Sequence, residues 1–207
     1  MTSEDRAARE RLADALRAAI DHVVDSTAPP EVFEQAAAEV ERLAEMLGPH
    51  SRHGPKSPAL PDLGELQETF WRDPVVGRSN PVAPPVNVII DGPVVTGRVT
   101  LGFAYEGPPG YAHGAAIAGI FDQILGLANL ASGNVGMTGT LTIRYRRPTP
   151  LQTELVFTGR TERVSGRKIY VKGTVYAGDT LTAEAEGLFV NLARPRAAEY
   201  FDDRVSG

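Results

Sequence analysis

One stretch of the chain, GYAHGAAIAGIFDQILG at positions 110–126, contains the residue types that could do chemistry. Asp122 is the only acid between Gly114 and Ala131, in a run that is otherwise largely apolar. A carboxyl group buried in apolar surroundings has a raised pKa unless it is paired, and it can act as a general base or a nucleophile. The run therefore predicts a buried, reactive carboxylate. The alternative is an Asp on an incompletely buried helix face that caps a neighbouring element.

The start of the same run has chemistry of its own. The first amides of a helix have no intrahelical acceptor, and the helix dipole is positive there. Gly114 and Ala115 provide these amides, and the glycine lets a ligand approach the backbone closely. This arrangement predicts a binding site for a developing oxyanion.

The spacing of these two features bears on assembly. Gly114 and Asp122 are eight residues apart, which is about 12 Å along a helix at about 1.5 Å per residue. One carbonyl group cannot easily contact both. An antiparallel pair of such helices would place the Gly114 end of one chain beside Asp122 of the other. The spacing therefore favours a homodimer with sites at its interface.

The elements that position these residues follow from hydrophobic periodicity. A helix that is apolar nearly all round is a buried helix, and its main stripe comprises Ile117, Phe121, Ile124, Leu125 and Ala128. Apolar and polar residues alternate from about position 87 onward, which predicts β-strands. The predicted strands are 94–105, 138–146, 153–163, 167–177 and 180–191, with turns at Ser165-Gly166 and Gly178-Asp179.

The predicted order is thus a strand, a long helix and four strands connected as a meander. Short turns between consecutive strands indicate an antiparallel sheet. A curved antiparallel sheet wrapped around one buried helix is the hotdog fold, an α+β architecture, and the order of elements fits it. Periodicity alone leaves other α+β sheets open.

The front of the chain is organised differently. Residues 3–25 and 31–47 have helical periodicity and are separated by two prolines, which predicts a helical hairpin. Proline-rich segments follow, and we expect 71–86 to cover another part of the protein without regular structure. The predicted divisions are an N-terminal hairpin appendage at 1–48, a linker and cover at 49–86, the hotdog domain at 87–192 and a C-terminal tail at 193–207.

Composition argues against several classes of protein. The 207 residues include no cysteine, so there is no disulfide framework, thiolate metal site or cysteine nucleophile. His50 and His53 lack a further ligand nearby in sequence, so we expect no metal site. Residues 1–70 carry 7 basic and 14 acidic residues, which argues against a nucleic acid partner.

Neither the N-terminal segment nor the most apolar run of the chain suggests a membrane protein. The charged N-terminus lacks the apolar core of a signal peptide. The most apolar run, 115–131, is diluted by glycine, alanine and polar residues, so we expect no membrane span. A cytoplasmic protein is the resulting expectation.

Three segments resemble a known family. EGPPGYAHGAAIAGIFDQILG (106–126), MTGTLTIRYRRPTPL (137–151) and SGRK (165–168) are similar to the hotdog-fold acyl-CoA thioesterases of the PaaI (phenylacetate-pathway) family and the related thioesterase-superfamily group. NPVAPP (80–85) also resembles an upstream segment of actinobacterial members. The resemblance covers about residues 71–192 and leaves out the N-terminal hairpin. The combination of HG, an Asp nine residues after the His and then YRRPTPL is fairly specific, whereas HG alone is not.

The resemblance implies roles for four residues. Asp122 would activate water or attack the thioester, and the Gly114 amide would bind the thioester oxygen. His113 would shape or polarise that site, and Thr138 would orient the water or the acid. Many members have the sequence HGG where this chain has His113-Gly114-Ala115. Alanine keeps the backbone amide at this position, but its methyl group leaves less space for a ligand to approach that amide. Active sites in this family lie between subunits, usually with further pairing into tetramers.

The resemblance also gives the basic residues a possible partner, since coenzyme A carries a diphosphate and a 3′-phosphate. The candidates are Arg146, Arg147, Arg167 and Lys168. Arg146 and Arg147 are adjacent on a strand and face opposite ways, so at most one faces a given ligand. Solvated strand faces are the alternative.

These points together predict an acyl-CoA thioesterase without a metal or redox cofactor. A hotdog hydratase or dehydratase and a non-catalytic acyl-CoA-binding protein remain alternatives.

Overall fold

A computed structural model describes residues 2–51 and 70–191. The helices are α1 (Ser3–Val24), α2 (Pro30–Leu47) and α3 (Gly114–Ala131), with short 3-10 turns at Gly48–His50 and Phe103–Tyr105. The strands are β1 (Asn87–Asp91), β2 (Val94–Thr100), β3 (Gly136–Tyr145), β4 (Glu154–Ser165), β5 (Lys168–Ala177) and β6 (Thr180–Asn191). All six form one antiparallel sheet, and α3 packs on one face of it, as the predicted hotdog fold requires. The predicted tail at 193–207, most of the linker and His53 lie outside the described residues.

The order of the strands, β1-β2-β4-β5-β6-β3, differs from the predicted meander. β4, β5 and β6 are consecutive neighbours whose turns contain Gly166 and Gly178, both with positive φ, as predicted. β3 instead lies at the far edge and pairs with β6. Alternation of side chains indicates which face a residue occupies, but it does not indicate which strand lies alongside.

The predicted strand at 94–105 is also wrong in extent. β2 ends at Thr100, and a short 3-10 turn follows before the loop that leads to α3. An additional strand, β1, pairs with β2 across a turn at Gly92, whose φ of 55° suits glycine. The chain therefore enters the sheet as a hairpin and not as a single strand.

Two glycines let α3 lie close to the sheet. Gly159 and Gly173 are paired across β4 and β5. A Cβ on Gly159 would lie 3.0 Å from Ile124 Cγ2, and one on Gly173 would lie 2.9 Å from Leu125 Cδ2. Larger residues would push α3 away, so this packing fixes the helix that carries the candidate functional residues.

The first helix is held to the main domain by Arg17, whose side chain is only 11% exposed. Its guanidinium donates to three backbone carbonyl oxygens of the cover segment, at 2.8–2.9 Å, from Arg78, Asn80 and Ala83. Asp21, one turn further on, accepts from the Ala104 amide at 2.9 Å. α1 is therefore part of the packed body, and it orders the segment just before the loop that leads to α3.

The predicted hairpin of the two front helices does not form within the described residues, because α1 packs on the cover segment and on the 3-10 turn and has almost no contact with α2. α1 and α2 have nearly the predicted bounds, and the segment at 71–86 consists of turns with Ala83 and Val86 buried. No residue of α2 is buried, and α2 makes few contacts within the described part of the chain. Within that part, α3 is the one helix long and apolar enough to cross a membrane, and it is the core helix of the sheet.

We expect Arg17→Met to destabilise the protein by roughly 2–3 kcal/mol, because three part-buried carbonyl oxygens would lose a charged donor. Urea denaturation measures this difference. Arg11→Met, at an exposed position of α1, is the matched control. Equal stability of the two variants would mean that α1 is not held to the domain by Arg17.

Candidate active site

The start of α3 is capped by a histidine side chain. His113 is the N-cap residue, and its Nδ1 accepts a hydrogen bond from the Ala115 amide at 3.0 Å. The next amide, of Ala116, donates to the His113 carbonyl oxygen. The Gly114 amide has no acceptor within the described residues. Of the two amides predicted to bind an oxyanion, Gly114 is thus available, whereas Ala115 is engaged by the cap.

The loop before this helix is held by its own hydrogen bonds. The Glu106 carboxylate accepts from the Gly110 amide at 2.6 Å, and Gly110 has a φ of 80°. The Ala112 amide donates to Thr149 O at 2.8 Å, which ties the loop to the PTPL segment after β3. A Cβ on Gly107 would lie 2.8 Å from the His113 Cα. The chain path therefore fixes where the capping histidine sits.

Tyr145, at the end of β3, is a site residue that the sequence did not single out. Its hydroxyl donates to the Gly114 carbonyl oxygen at 2.8 Å. Desolvation raises the pKa of this hydroxyl above its ordinary value, so it remains a donor at neutral pH. The alternation of side chains along β3 could have indicated Tyr145, because it lies on the same face of the strand as Leu141 and Ile143, which pack against the core.

The predicted acid, Asp122, and the predicted threonine, Thr138, are in contact. Thr138 Oγ1 donates to Asp122 Oδ1 at 2.9 Å. The prediction that Asp122 is buried is wrong for the single chain, because its side chain is exposed. Asp122 lies on the part of α3 that faces β3, and β3 is the outermost strand at its edge of the sheet among the described residues. The carboxylate is therefore oriented by Thr138 and open to a ligand or a second chain.

The two reactive groups occupy different parts of one chain. The Gly114 amide lies beside Tyr145 at the end of β3, whereas Asp122 lies beside Thr138 near its beginning. Their separation along α3 is about 12 Å. The structure thus brings together His113 with Gly114 and Asp122 with Thr138, and it keeps the two pairs apart within one chain.

The four basic candidates are not equivalent. Arg146 forms an ion pair and a hydrogen bond with Glu184, which lowers the pKa of that carboxyl group. No ion pair of Arg147, Arg167 or Lys168 occurs within the described residues, and all three are exposed. The two arginines follow the end of β3 and do not lie on a strand as predicted, and both of their amides donate to the Thr182 carbonyl oxygen. Arg147 is therefore the cation of this pair that remains available to an anion.

These free cations also divide between the two ends of β3. Arg147 follows the end of β3 that carries Tyr145. Lys168 lies opposite Val190 on β6, and Val190 lies opposite Met137 at the start of β3. Arg167 and Lys168 are therefore on the side of Asp122, and Arg147 is on the side of Gly114.

The residues 2–51 and 70–191 contain no group of three or more histidine or acidic side chains arranged to hold a metal ion. His50 ends a short 3-10 turn and is exposed. Its predicted neighbour His53 is not among the described residues.

Comparisons with known proteins agree on one family. The model of the thioesterase superfamily matches residues 109–184, a range that contains Gly114, Asp122 and Thr138. A crystal structure of a thioesterase superfamily protein is 36% identical with a TM-score of 0.79, and the match covers 88% of this chain and 90% of that one.

Curated relatives match over a shorter range. Acyl-coenzyme A thioesterase THEM4 of Mus musculus is 39% identical over 93 residues, which are 44% of this chain and 40% of that protein. The protein of the same name from Xenopus laevis is 34% identical over 42% of this chain and 40% of its own length. The chain thus spans about 40% of the length of these relatives. A Streptococcus mutans protein solved bound to acetyl CoA shares the fold at 22% identity and a TM-score of 0.50, over 52% of this chain and 89% of that one.

Proposed function

Since the chain belongs to the thioesterase superfamily, we propose that it hydrolyses an acyl-CoA thioester to a free acid and coenzyme A. One observation carries the proposal: Asp122, oriented by Thr138, is an exposed carboxylate on a core helix whose first amide, that of Gly114, has no acceptor among residues 2–51 and 70–191. The acyl-coenzyme A thioesterases among its relatives support the choice of substrate.

The proposed chemistry uses water and the chain's own groups. The Gly114 amide donates to the thioester carbonyl oxygen and stabilises the negative charge that develops there. Asp122 takes a proton from water as the water oxygen attacks the carbonyl carbon. When the tetrahedral intermediate collapses, the carbon–sulfur bond breaks and the proton passes from Asp122 to the departing thiolate. Direct attack by Asp122, followed by hydrolysis of the anhydride, is the other route that this geometry allows.

The proposed active site is shared by two subunits. Within one chain, Gly114 and Asp122 are too far apart to act on the same carbonyl carbon. In the part of the chain that the structure describes, β3 leaves a row of backbone donors and acceptors unpaired beside Asp122, and such an edge is able to pair with another chain. A homodimer formed along this edge would place the Gly114 end of one helix near Asp122 of its partner helix. Further pairing into tetramers is compatible with this arrangement.

In the proposed dimer, each site would receive cations from both chains. The subunit that supplies Gly114 would also supply Arg147, and the subunit that supplies Asp122 would supply Arg167 and Lys168. Three exposed cations around one site suit the diphosphate and 3′-phosphate of coenzyme A.

We expect Arg147→Ala to raise KM for acyl-CoA several-fold, with little change in kcat, because it removes a cation that would bind the phosphates of coenzyme A and takes no part in the proposed reaction steps. Arg146→Ala is the matched control, since Arg146 already pairs with Glu184. Steady-state kinetics at two salt concentrations test the difference, which should shrink at high salt. A larger KM effect from Arg146→Ala would reverse the assignment of the two residues.

Release of free thiol tests the proposed reaction. Acyl-CoAs of different chain length, with and without an aromatic ring, are incubated with the protein and a thiol reagent. Thiol release with turnover supports a thioesterase. A hydratase or dehydratase would change an enoyl- or hydroxyacyl-CoA without releasing thiol. A binding protein would retain acyl-CoA and leave it unchanged, and either of these results would refute the proposal.

A further inference from the structure

The side chains of Tyr145 and His113 are joined through one peptide group. The Tyr145 hydroxyl donates to the Gly114 carbonyl oxygen at 2.8 Å. That carbonyl belongs to the same peptide group as the Ala115 amide, which donates to His113 Nδ1 at 3.0 Å. A hydrogen bond to a carbonyl oxygen polarises the peptide and strengthens its N–H as a donor. The three groups thus form a continuous hydrogen-bond chain from the end of β3 to the histidine ring.

The direction of this chain determines the state of the ring. Because Nδ1 accepts a hydrogen bond, it carries no proton, and His113 is neutral while this bond exists. The single proton of a neutral imidazole must then be on Nε2. His113 is exposed, and its Nε2–H has no acceptor within the described residues. The ring therefore presents a neutral donor to solvent or to a bound ligand, beside the free Gly114 amide.

We propose that Tyr145 is a positioning residue: through the Gly114–Ala115 peptide it holds His113 in the tautomer that carries its proton on Nε2. The Nε2–H then acts with the Gly114 amide as a second donor to the thioester oxygen. This inference rests on the proposed thioester hydrolysis, and it assigns a task to a side chain that touches neither the substrate nor the reacting water.

The local packing is built around the same contact. A Cβ on Gly114 would lie 3.2 Å from Tyr145 Oη, so glycine at this position lets the hydroxyl approach the carbonyl oxygen. The hydroxyl also keeps its proton at neutral pH, since desolvation raises its pKa. Tyr145→Phe removes the hydroxyl alone and keeps the ring against the helix. Tyr176→Phe, on an exposed part of β5, removes a hydroxyl elsewhere and is the matched control.

The test combines kinetics with nuclear magnetic resonance of ¹⁵N-histidine-labelled full-length protein, in which the His113 signals are identified by their loss in His113→Asn. In wild-type protein at neutral pH, we expect a protonated Nε2 and an unprotonated Nδ1. In Tyr145→Phe we expect a mixture of both tautomers and a fall in kcat of about threefold to tenfold, with KM unchanged. Tyr176→Phe should match wild-type protein in both measurements.

Three results would overturn the proposal. They are a wild-type His113 with its proton on Nδ1, ring signals in Tyr145→Phe identical to those of wild-type protein, and altered ring signals with an unchanged kcat. Failure of the proposed function is a separate result, because the wild-type protein would then release no thiol from any acyl-CoA. The ring signals of the free protein would still decide whether Tyr145 sets the tautomer of His113.

Discussion

Asp122→Asn is expected to lower kcat for thiol release by about 100-fold to 10,000-fold, the range that a positioned general base contributes. Asparagine has nearly the same shape, and its Oδ1 can still accept the hydrogen bond from Thr138. The exposed position of Asp122 means that the change leaves no buried group unsatisfied. The variant should therefore fold and bind acyl-CoA while losing the group that takes the proton from water.

Two companion variants make this result specific. Asp179→Asn, in the exposed turn between β5 and β6, removes the same charge away from the site and should keep wild-type kcat. Thr138→Val removes the hydroxyl that orients the carboxylate and should lower kcat by less than Asp122→Asn, whereas Thr138→Ser should restore most of the activity. Thiol release from Asp122→Asn at the wild-type rate would mean that the hydrolytic base is a different residue.

Asp122 could be singled out from the sequence as the candidate acid, but its environment could not be predicted. A single carboxylate in an apolar helix is visible in the order of residues alone. Its exposure depends on which strand ends the sheet, and that is a long-range property. The predicted meander placed β3 next to β4, whereas β3 lies at the edge of the sheet beside β6. The meander therefore gave no indication that Asp122 lies beside an edge strand.

The contacts at the start of α3 have a similar explanation. Gly114 and Ala115 could both be predicted as unpaired amides, because every helix begins with them. Whether a side chain accepts a hydrogen bond from one of these amides depends on the rotamer of the N-cap residue. In this structure, His113 Nδ1 accepts from the Ala115 amide. Tyr145 reaches Gly114 from a position 31 residues away in the chain. Sequence periodicity predicted a strand that contains Tyr145, but it could not identify the partner of this side chain.

Mixed dimers test the shared active site with a large expected effect. Asp122→Asn removes the base, and Gly114→Val covers the free amide with a branched side chain whose Cβ lies close to Tyr145. Either homodimer should be nearly inactive. In a dimer of one Asp122→Asn chain and one Gly114→Val chain, one of the two sites combines an intact Gly114 with an intact Asp122. We expect such dimers, isolated through two affinity tags, to have about half the wild-type kcat per dimer, since one of two equivalent sites remains.

The reciprocal arrangement excludes the alternative in which each chain has its own complete site. A chain that carries both substitutions is paired with a wild-type chain, so the mixed dimer contains the same set of changes. With shared sites, each site now has one defective half and the dimer should be nearly inactive. With separate sites, this dimer would keep half the activity and the dimer with one change in each chain would have none. The ratio of the two activities therefore measures whether Asp122 acts on a carbonyl bound by its own Gly114 or by that of its partner.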